Sequence, residues 1–129
     1  MIDFDSLRHL TIEERAVELR GRRICNCCQA VTAALTEDPQ LIQASAGFGG
    51  GMGNTQGVCG ALVGAVIAAG IKTEGSGTTR YAKLIQERFR ERSGAIICRE
   101  LKGLDTGKVL CSCEDCVRNA VRSFQEIMN

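Results

Sequence analysis

Almost nowhere in this chain do apolar and polar residues alternate one for one. Such alternation is what a half-buried β-strand requires, and its absence leaves little to build a sheet from. The apolar positions instead recur three and four residues apart, in segments punctuated by glycine. With 15 glycines against a single proline, the pattern describes helices joined by glycine turns. A chain of 129 residues is long enough to bury one core without covalent help. The expected architecture is therefore all-α: a single-domain helical bundle over residues 1–129, of about five helices with a glycine-rich loop.

Local signals place the helices. Thr11-Ile12-Glu13-Glu14 reads as a capping box opening a helix that stops at Gly21. A second helix is expected over 26–36, with Asn26 as N-cap and Pro39 beyond its end. A short one follows over 41–46. Residues 47–53, Gly-Phe-Gly-Gly-Gly-Met-Gly, are too rich in glycine for a regular element. The third main helix is expected over 56–69, with Gly70 as its stop. Residues 79–92 form the clearest amphipathic helix, with Tyr81, Leu84, Ile85 and Phe89 as its apolar stripe, and Gly94 ends it. A helical turn is expected over 98–101. The last helix begins near Ser112, a good N-cap with Asp115 three residues on, and is expected to bury Val117, Ala120, Val121, Phe124, Ile127 and Met128.

Composition excludes several function classes. Hydrophobic residues at 44% and charged residues at 24% describe a globular chain. A net charge of +1 gives no footprint for nucleic acid or an anionic membrane. The longest apolar run, 57–71, is short for a membrane span and rich in glycine and alanine. The first residues, MIDFDSLRHL, carry acids where a secretion signal would carry positive charge, so a cytoplasmic protein is expected. No phosphate-loop motif fits the glycine stretch. One histidine, His9, and no serine-centred motif leave no hydrolase triad.

What stands out is eight cysteines. In a chain without a secretion signal such clusters point to metal binding or redox chemistry rather than to disulfide staples. Cys27, Cys59, Cys98 and Cys116 each fall near an expected helix N-terminus. Free N–H groups and the helix dipole at such ends favour thiolate, the form that attacks disulfides and binds metals. The other four lie close by: Cys25 and Cys28 in a C-x-C-C group, Cys111 and Cys113 in a C-x-C-x-x-C group that ends at Cys116. The spacing of a zinc ribbon is absent, and one histidine cannot make a Cys₂His₂ finger. All-sulfur ligation suits an iron–sulfur cluster as well as zinc. Bare N–H groups of Gly49, Gly50, Gly51 and Gly53 could donate to cluster sulfurs.

These residues resemble the C-GCAxxG-C-C family of redox-active proteins. The matching stretches are Asn26-Cys27-Cys28-Gln29-Ala30-Val31, Ala46 to Gly53, Gly57-Val58-Cys59-Gly60-Ala61-Leu62-Val63-Gly64-Ala65, Ile97-Cys98-Arg99-Glu100-Leu101, and Cys116. The resemblance covers about residues 24–125. It implies a helical fold, a redox or metal role, and Cys27, Cys59, Cys98 and Cys116 as the family cysteines. A related region in split-Soret cytochromes is associated with an iron–sulfur cluster; no haem attachment motif is present here. The order Cys59-Gly60-Ala61 departs from the family's Gly-Cys-Ala, and Cys25, Cys28, Cys111 and Cys113 are extra.

The expected function is a redox protein that binds an iron–sulfur cluster through Cys27, Cys59, Cys98 and Cys116 and transfers electrons. Cys25, Cys28, Cys111 and Cys113 would form a second site or extend the first. The alternatives are a metal-free thiol–disulfide oxidoreductase and a zinc-binding interaction module. The partner expected is an unidentified redox protein, with no nucleic acid and no membrane. The small-residue helix could pack within one subunit or across a homodimer.

Overall fold

The computed structural model describes residues 2–129. Seven α-helices follow one another: α1 (Ile12–Gly21), α2 (Cys27–Thr36), α3 (Pro39–Ala44), α4 (Gly60–Lys72), α5 (Thr78–Ser93), α6 (Cys98–Lys102) and α7 (Cys113–Met128). The all-α expectation holds among the described residues. The helix count is seven rather than about five, because α3 and α6 are short but regular. Short 3₁₀ turns at Phe4–Leu7 and Ala46–Phe48 and a wide turn at Gly51–Thr55 complete the chain. No helix of the described residues is long and apolar enough to cross a membrane.

Three caps are set by the side chains that the sequence picks out. Thr11 Oγ1 accepts the Glu14 N–H at 3.2 Å, and Ser112 Oγ accepts the Asp115 N–H at 3.1 Å. The reciprocal box forms at α2: Asn26 accepts from the Gln29 N–H at 3.0 Å, and Gln29 accepts from the Asn26 N–H at 3.1 Å. At Thr11 the box is only half made. The Glu14 carboxylate reaches instead to Arg118 on α7, 2.8 Å away. Pro39 is the first residue of α3, where its missing N–H costs nothing.

The start of α4 differs from the expectation. Gln56 closes the preceding turn in a right-handed conformation, Gly57 is a bend, and Val58 pairs antiparallel with Ile97. The helix begins only at Gly60, with Cys59 as its N-cap, and it runs through Gly70 to Lys72.

Helix α4 packs on α2, α5 and α7. Its approach to α2 is set by Gly64: a methyl there would stand 2.8 Å from the Cys28 carbonyl oxygen and 3.0 Å from Val31 Cβ. The core between these helices includes Val31, Leu62, Ala65, Phe89, Val117 and Val121, all buried. A smaller apolar group, Leu7, Leu19, Cys25, Ala30 and Ala33, joins the N-terminal turn to α1 and α2. Arg88 and Arg92 of α5 hold Glu126 of α7 at 2.8 and 2.6 Å, and Arg122 of α7 bonds Glu13 of α1.

Candidate functional site

The Val58–Ile97 bridge does more than delay a helix. Cys59 N–H donates to the Ile96 carbonyl at 2.7 Å, and Cys98 N–H donates to the Gly57 carbonyl at 3.0 Å. Two cysteines 39 positions apart are thereby fixed side by side, one capping α4 and one opening α6. Gly57 N–H in turn donates to the Gly51 carbonyl at 3.0 Å, which docks the glycine loop on the same bridge. On the other side, the N–H groups of Leu110 and Cys111 donate to the Leu101 carbonyl, so the segment leading into α7 lies along α6.

These ties surround a cavity of about 640 Å³ lined by Cys25, Cys27, Cys59, Cys98, Cys111, Cys113 and Cys116. Cys27, Cys59, Cys98 and Cys116, singled out at helix starts, are all brought to it. So are Cys25, Cys111 and Cys113. Cys28 is not among the lining residues. As the residue after Cys27, it lies about 100° further round α2. It is fully buried against Thr32 and Ser45. All eight cysteines are free thiols. Among the described residues, no three His, Cys, Asp or Glu side chains stand close enough around one point to hold a single metal ion. His9 is exposed and does not line the cavity.

Of the four glycines of interest, Gly50 lines the cavity, and its N–H bonds the Cys27 sulfur. Gly51 has φ +60°, and a Cβ there would meet Cys98 Cβ at 2.6 Å, so this backbone closes over Cys98 because it carries no side chain. Gly49 packs against the Asn26 side chain. Gly53 has no neighbour within 4 Å of a would-be Cβ and serves the turn alone. Gly60, the residue after Cys59, would place a methyl 2.6 Å from the Phe48 carbonyl oxygen and 2.7 Å from Cys27 Sγ.

The thiols are not electrically equivalent. Burial pushes Cys27, Cys98 and Cys25 above the ordinary thiol range. The Gly50 N–H opposes this at Cys27, and the charge of Lys102 opposes it at Cys98. Burial, reinforced by neighbouring Cys27, lifts Cys28 to about 12. Cys59 moves the other way, to about 7. The Cys116 thiol donates to it, the N–H groups of Leu62 and Ala61 in the first turn of α4 add to this, and Lys102 helps. Cys116 is raised correspondingly, since it keeps the proton that the pair shares.

Three cations also line the cavity: Arg20, Arg23 and Lys102. Reading the chain for cysteine spacing passes over them, although Arg20-Gly21-Arg22-Arg23 stands directly before the first cysteine group. Helix-borne thiols gathered at one cavity, with one of them held as thiolate near neutrality, define a redox-type cysteine centre on an all-α scaffold. Residues 25–127 match the family described as "Putative redox-active protein (C_GCAxxG_C_C)", and the chain belongs to that family. No curated protein and no solved structure gives a significant match.

Proposed function

We propose that the chain is an electron-transfer protein whose cavity takes an iron–sulfur cluster, with Cys27, Cys59, Cys98 and Cys116 as ligands. The observation that carries this reading is the seven-cysteine lining of a single cavity. An all-sulfur donor set suits iron–sulfur clusters. A structural zinc ion needs four donors around one point, and no such group stands among the described residues. A cluster is wider than an ion, so its thiolates surround a volume, as these do. When bound, the cluster would supply one-electron chemistry.

The chain's own groups are suited to holding an anionic sulfur centre. Cys59 ionises near neutral pH, so little proton release is needed to make it a ligand. The N–H of Gly50 at Cys27, and those of Ala61 and Leu62 at Cys59, are hydrogen bonds of the kind that tune reduction potential. Cys27 and Cys113 are half-buried and mark the edge through which electrons would pass. Cys25, Cys111 and Cys113 line the same cavity, which favours an extension of one site over a second separate one. The test is iron and acid-labile sulfide in anaerobically purified or reconstituted protein, with the visible spectrum. A colourless sample, free of iron after reconstitution, refutes the reading.

The shared proton of Cys59 and Cys116 favours a second reading, a metal-free thiol–disulfide oxidoreductase. The Cys59 thiolate would attack a substrate disulfide and release one substrate thiolate. Cys116, deprotonated in turn, would attack Cys59 Sγ and release the other. The substrate is reduced by two electrons and Cys59–Cys116 becomes a disulfide. Free-thiol counts across a series of glutathione buffers test this: loss of two thiols at a reproducible midpoint supports it, and an unchanging count removes it.

A further inference from the structure

The cavity's rim is charged with one sign. Arg20, Arg23 and Lys102 line it, and no Asp or Glu does. This is unusual for the molecule, which carries 16 basic and 15 acidic residues. Seven other arginines are matched, among them Arg8 with Glu37, Arg22 with Glu18, Arg88 and Arg92 with Glu126, and Arg99 with Asp105, while Arg15, Arg80 and Arg90 make no ion pair among the described residues. Among the described residues Arg20, Arg23 and Lys102 make no ion pair. Glu18, two residues before Arg20, is paired with Arg22, Asp105 with Arg99, and Glu114 and Asp115 with Arg118. Glu100 is exposed on α6 but does not line the cavity.

One exposed apolar side chain lines the cavity with these cations, and two more lie on the segment bonded to α6. Ile24, which lines the cavity, is 51% exposed. Val109 and Leu110, in the segment bonded to Leu101 and leading into Cys111, are 61% and 51% exposed. Large aliphatic groups left in water beside an uncompensated positive rim make the pattern of a protein interface: an apolar centre, with charges around it that select the partner and speed its arrival. A small anion would satisfy the cations and leave these three side chains in water. A protein face covers both.

Resting on the reading of the cavity as a redox centre, we infer that its mouth is the docking surface for an acidic redox protein, one whose own exposed centre is ringed by carboxylates. Arg20, Arg23 and Lys102 face those carboxylates, Ile24 packs at the mouth, and Val109 and Leu110 extend the contact along the segment bonded to α6.

The test uses two probes of known charge, a flavodoxin (small and strongly acidic) and a cytochrome c (small and basic). Each is titrated calorimetrically into the full chain at low and high salt. The wild type is compared with R20E/R23E and with a control, R90E, whose arginine is exposed on α5 and makes no ion pair among the described residues. Circular dichroism and thermal melts establish that each variant is folded. Flavodoxin is expected to bind the wild type and R90E alike, with affinity falling about tenfold or more at high salt and in R20E/R23E. Cytochrome c is expected to bind R20E/R23E better than the wild type. Absence of flavodoxin binding, affinity unmoved by salt and by R20E/R23E, or tighter binding of cytochrome c to the wild type overturns the proposal. Binding is read without using the cluster, and iron is assayed separately. Selective flavodoxin binding by iron-free protein would sink only the cluster reading; an iron-loaded protein indifferent to flavodoxin would sink only the docking surface.

Discussion

Two glycines of α4 should respond to the same substitution with opposite signs. Gly64→Ala and Gly70→Ala both replace glycine by the best helix former within one helix, which alone stabilises by about 0.5–1 kcal/mol. At Gly70 the added methyl meets nothing closer than Thr78 Cγ2 at 3.9 Å, an ordinary contact. The full gain should appear. At Gly64 the methyl stands 2.8 Å from a backbone carbonyl, 3.0 Å from Val31 Cβ and 3.1 Å from Thr32 Oγ1. None of these is the free end of a flexible side chain, and the Cys28 carbonyl already accepts the Thr32 hydroxyl at 2.8 Å. Helices α2 and α4 must therefore separate, and overpacking of this kind costs about 1–3 kcal/mol. The net loss should be about 1–2 kcal/mol. At roughly 4 °C per kcal/mol for a chain of this size, Gly64→Ala melts about 4–8 °C below wild type and Gly70→Ala about 2–4 °C above it. Urea and thermal unfolding in reducing buffer with chelator measure this without any contribution from bound metal. Equal stabilisation by both alanines would refute the close α2–α4 approach.

Cys28→Ala should leave iron content and the visible spectrum of reconstituted protein unchanged and cost about 1 kcal/mol of stability, since Cys28 is buried outside the cavity; Cys98→Ser should lower iron content. Arg118→Ala should lower stability by no more than about 1 kcal/mol, because its bonds to Glu14, Glu114 and Asp115 lie at a partly exposed surface; a double-mutant cycle with Glu14→Gln measures the α1–α7 coupling. Arginine partners hold Glu14, Glu37, Asp105 and Glu126 below the usual carboxylate range. The unfolded chain then binds more protons than the folded one around pH 4, so this contribution is complete above about pH 4.5 and is lost as pH falls through the folded values. The urea midpoint should decline steadily in acid, and less steeply in Arg118→Ala; a flat midpoint down to pH 3 would contradict it.

The sequence carries the helix starts wherever a cap is local. Thr11, Asn26 and Ser112 are legible because a polar side chain and the N–H it accepts lie three residues apart. The start of α4 is not, because what delays it is remote. The apolar run from Gly57 looks helical until Ile97 pairs with Val58, and no periodicity within 57–71 reports on a residue near 97. The half-made box at Thr11 has the same cause, since Glu14 finds Arg118 on a helix about a hundred residues later. Within the site, the cysteines at helix starts were legible as chemistry but not as a convergence. The exclusion of Cys28 rests on packing as well as helical geometry: about 100° round α2 from Cys27, it is buried against Thr32 and Ser45. The rim cations carried a weak signal in Arg20-Gly21-Arg22-Arg23, and Lys102 carried none.

Packing and site are one arrangement in this protein. Gly64 lets α4 approach α2 at Cys28 and Val31, and one turn earlier Gly60 lets the same helix approach the Cys27 sulfur and the Phe48 carbonyl. That carbonyl opens the glycine loop, whose Gly50 bonds Cys27 and whose Gly51 closes on Cys98. The Cys59-Gly60 order thus has a physical reason. The residue that follows the capping cysteine is the one pressed against Cys27, and any side chain there would push the two sulfur-bearing helix ends apart. A methyl at Gly60 should consequently disturb the thiols more than the fold. The first turn of a helix tolerates adjustment better than its middle, whereas Cys59 depends on the N–H groups of Ala61 and Leu62 and on Cys116 remaining in place. In Gly60→Ala, relative to Gly64→Ala, the loss of iron on reconstitution should therefore be the larger effect and the loss of thermal stability the smaller. The reverse ranking would mean that the cavity adapts to its walls and that the glycines serve packing alone.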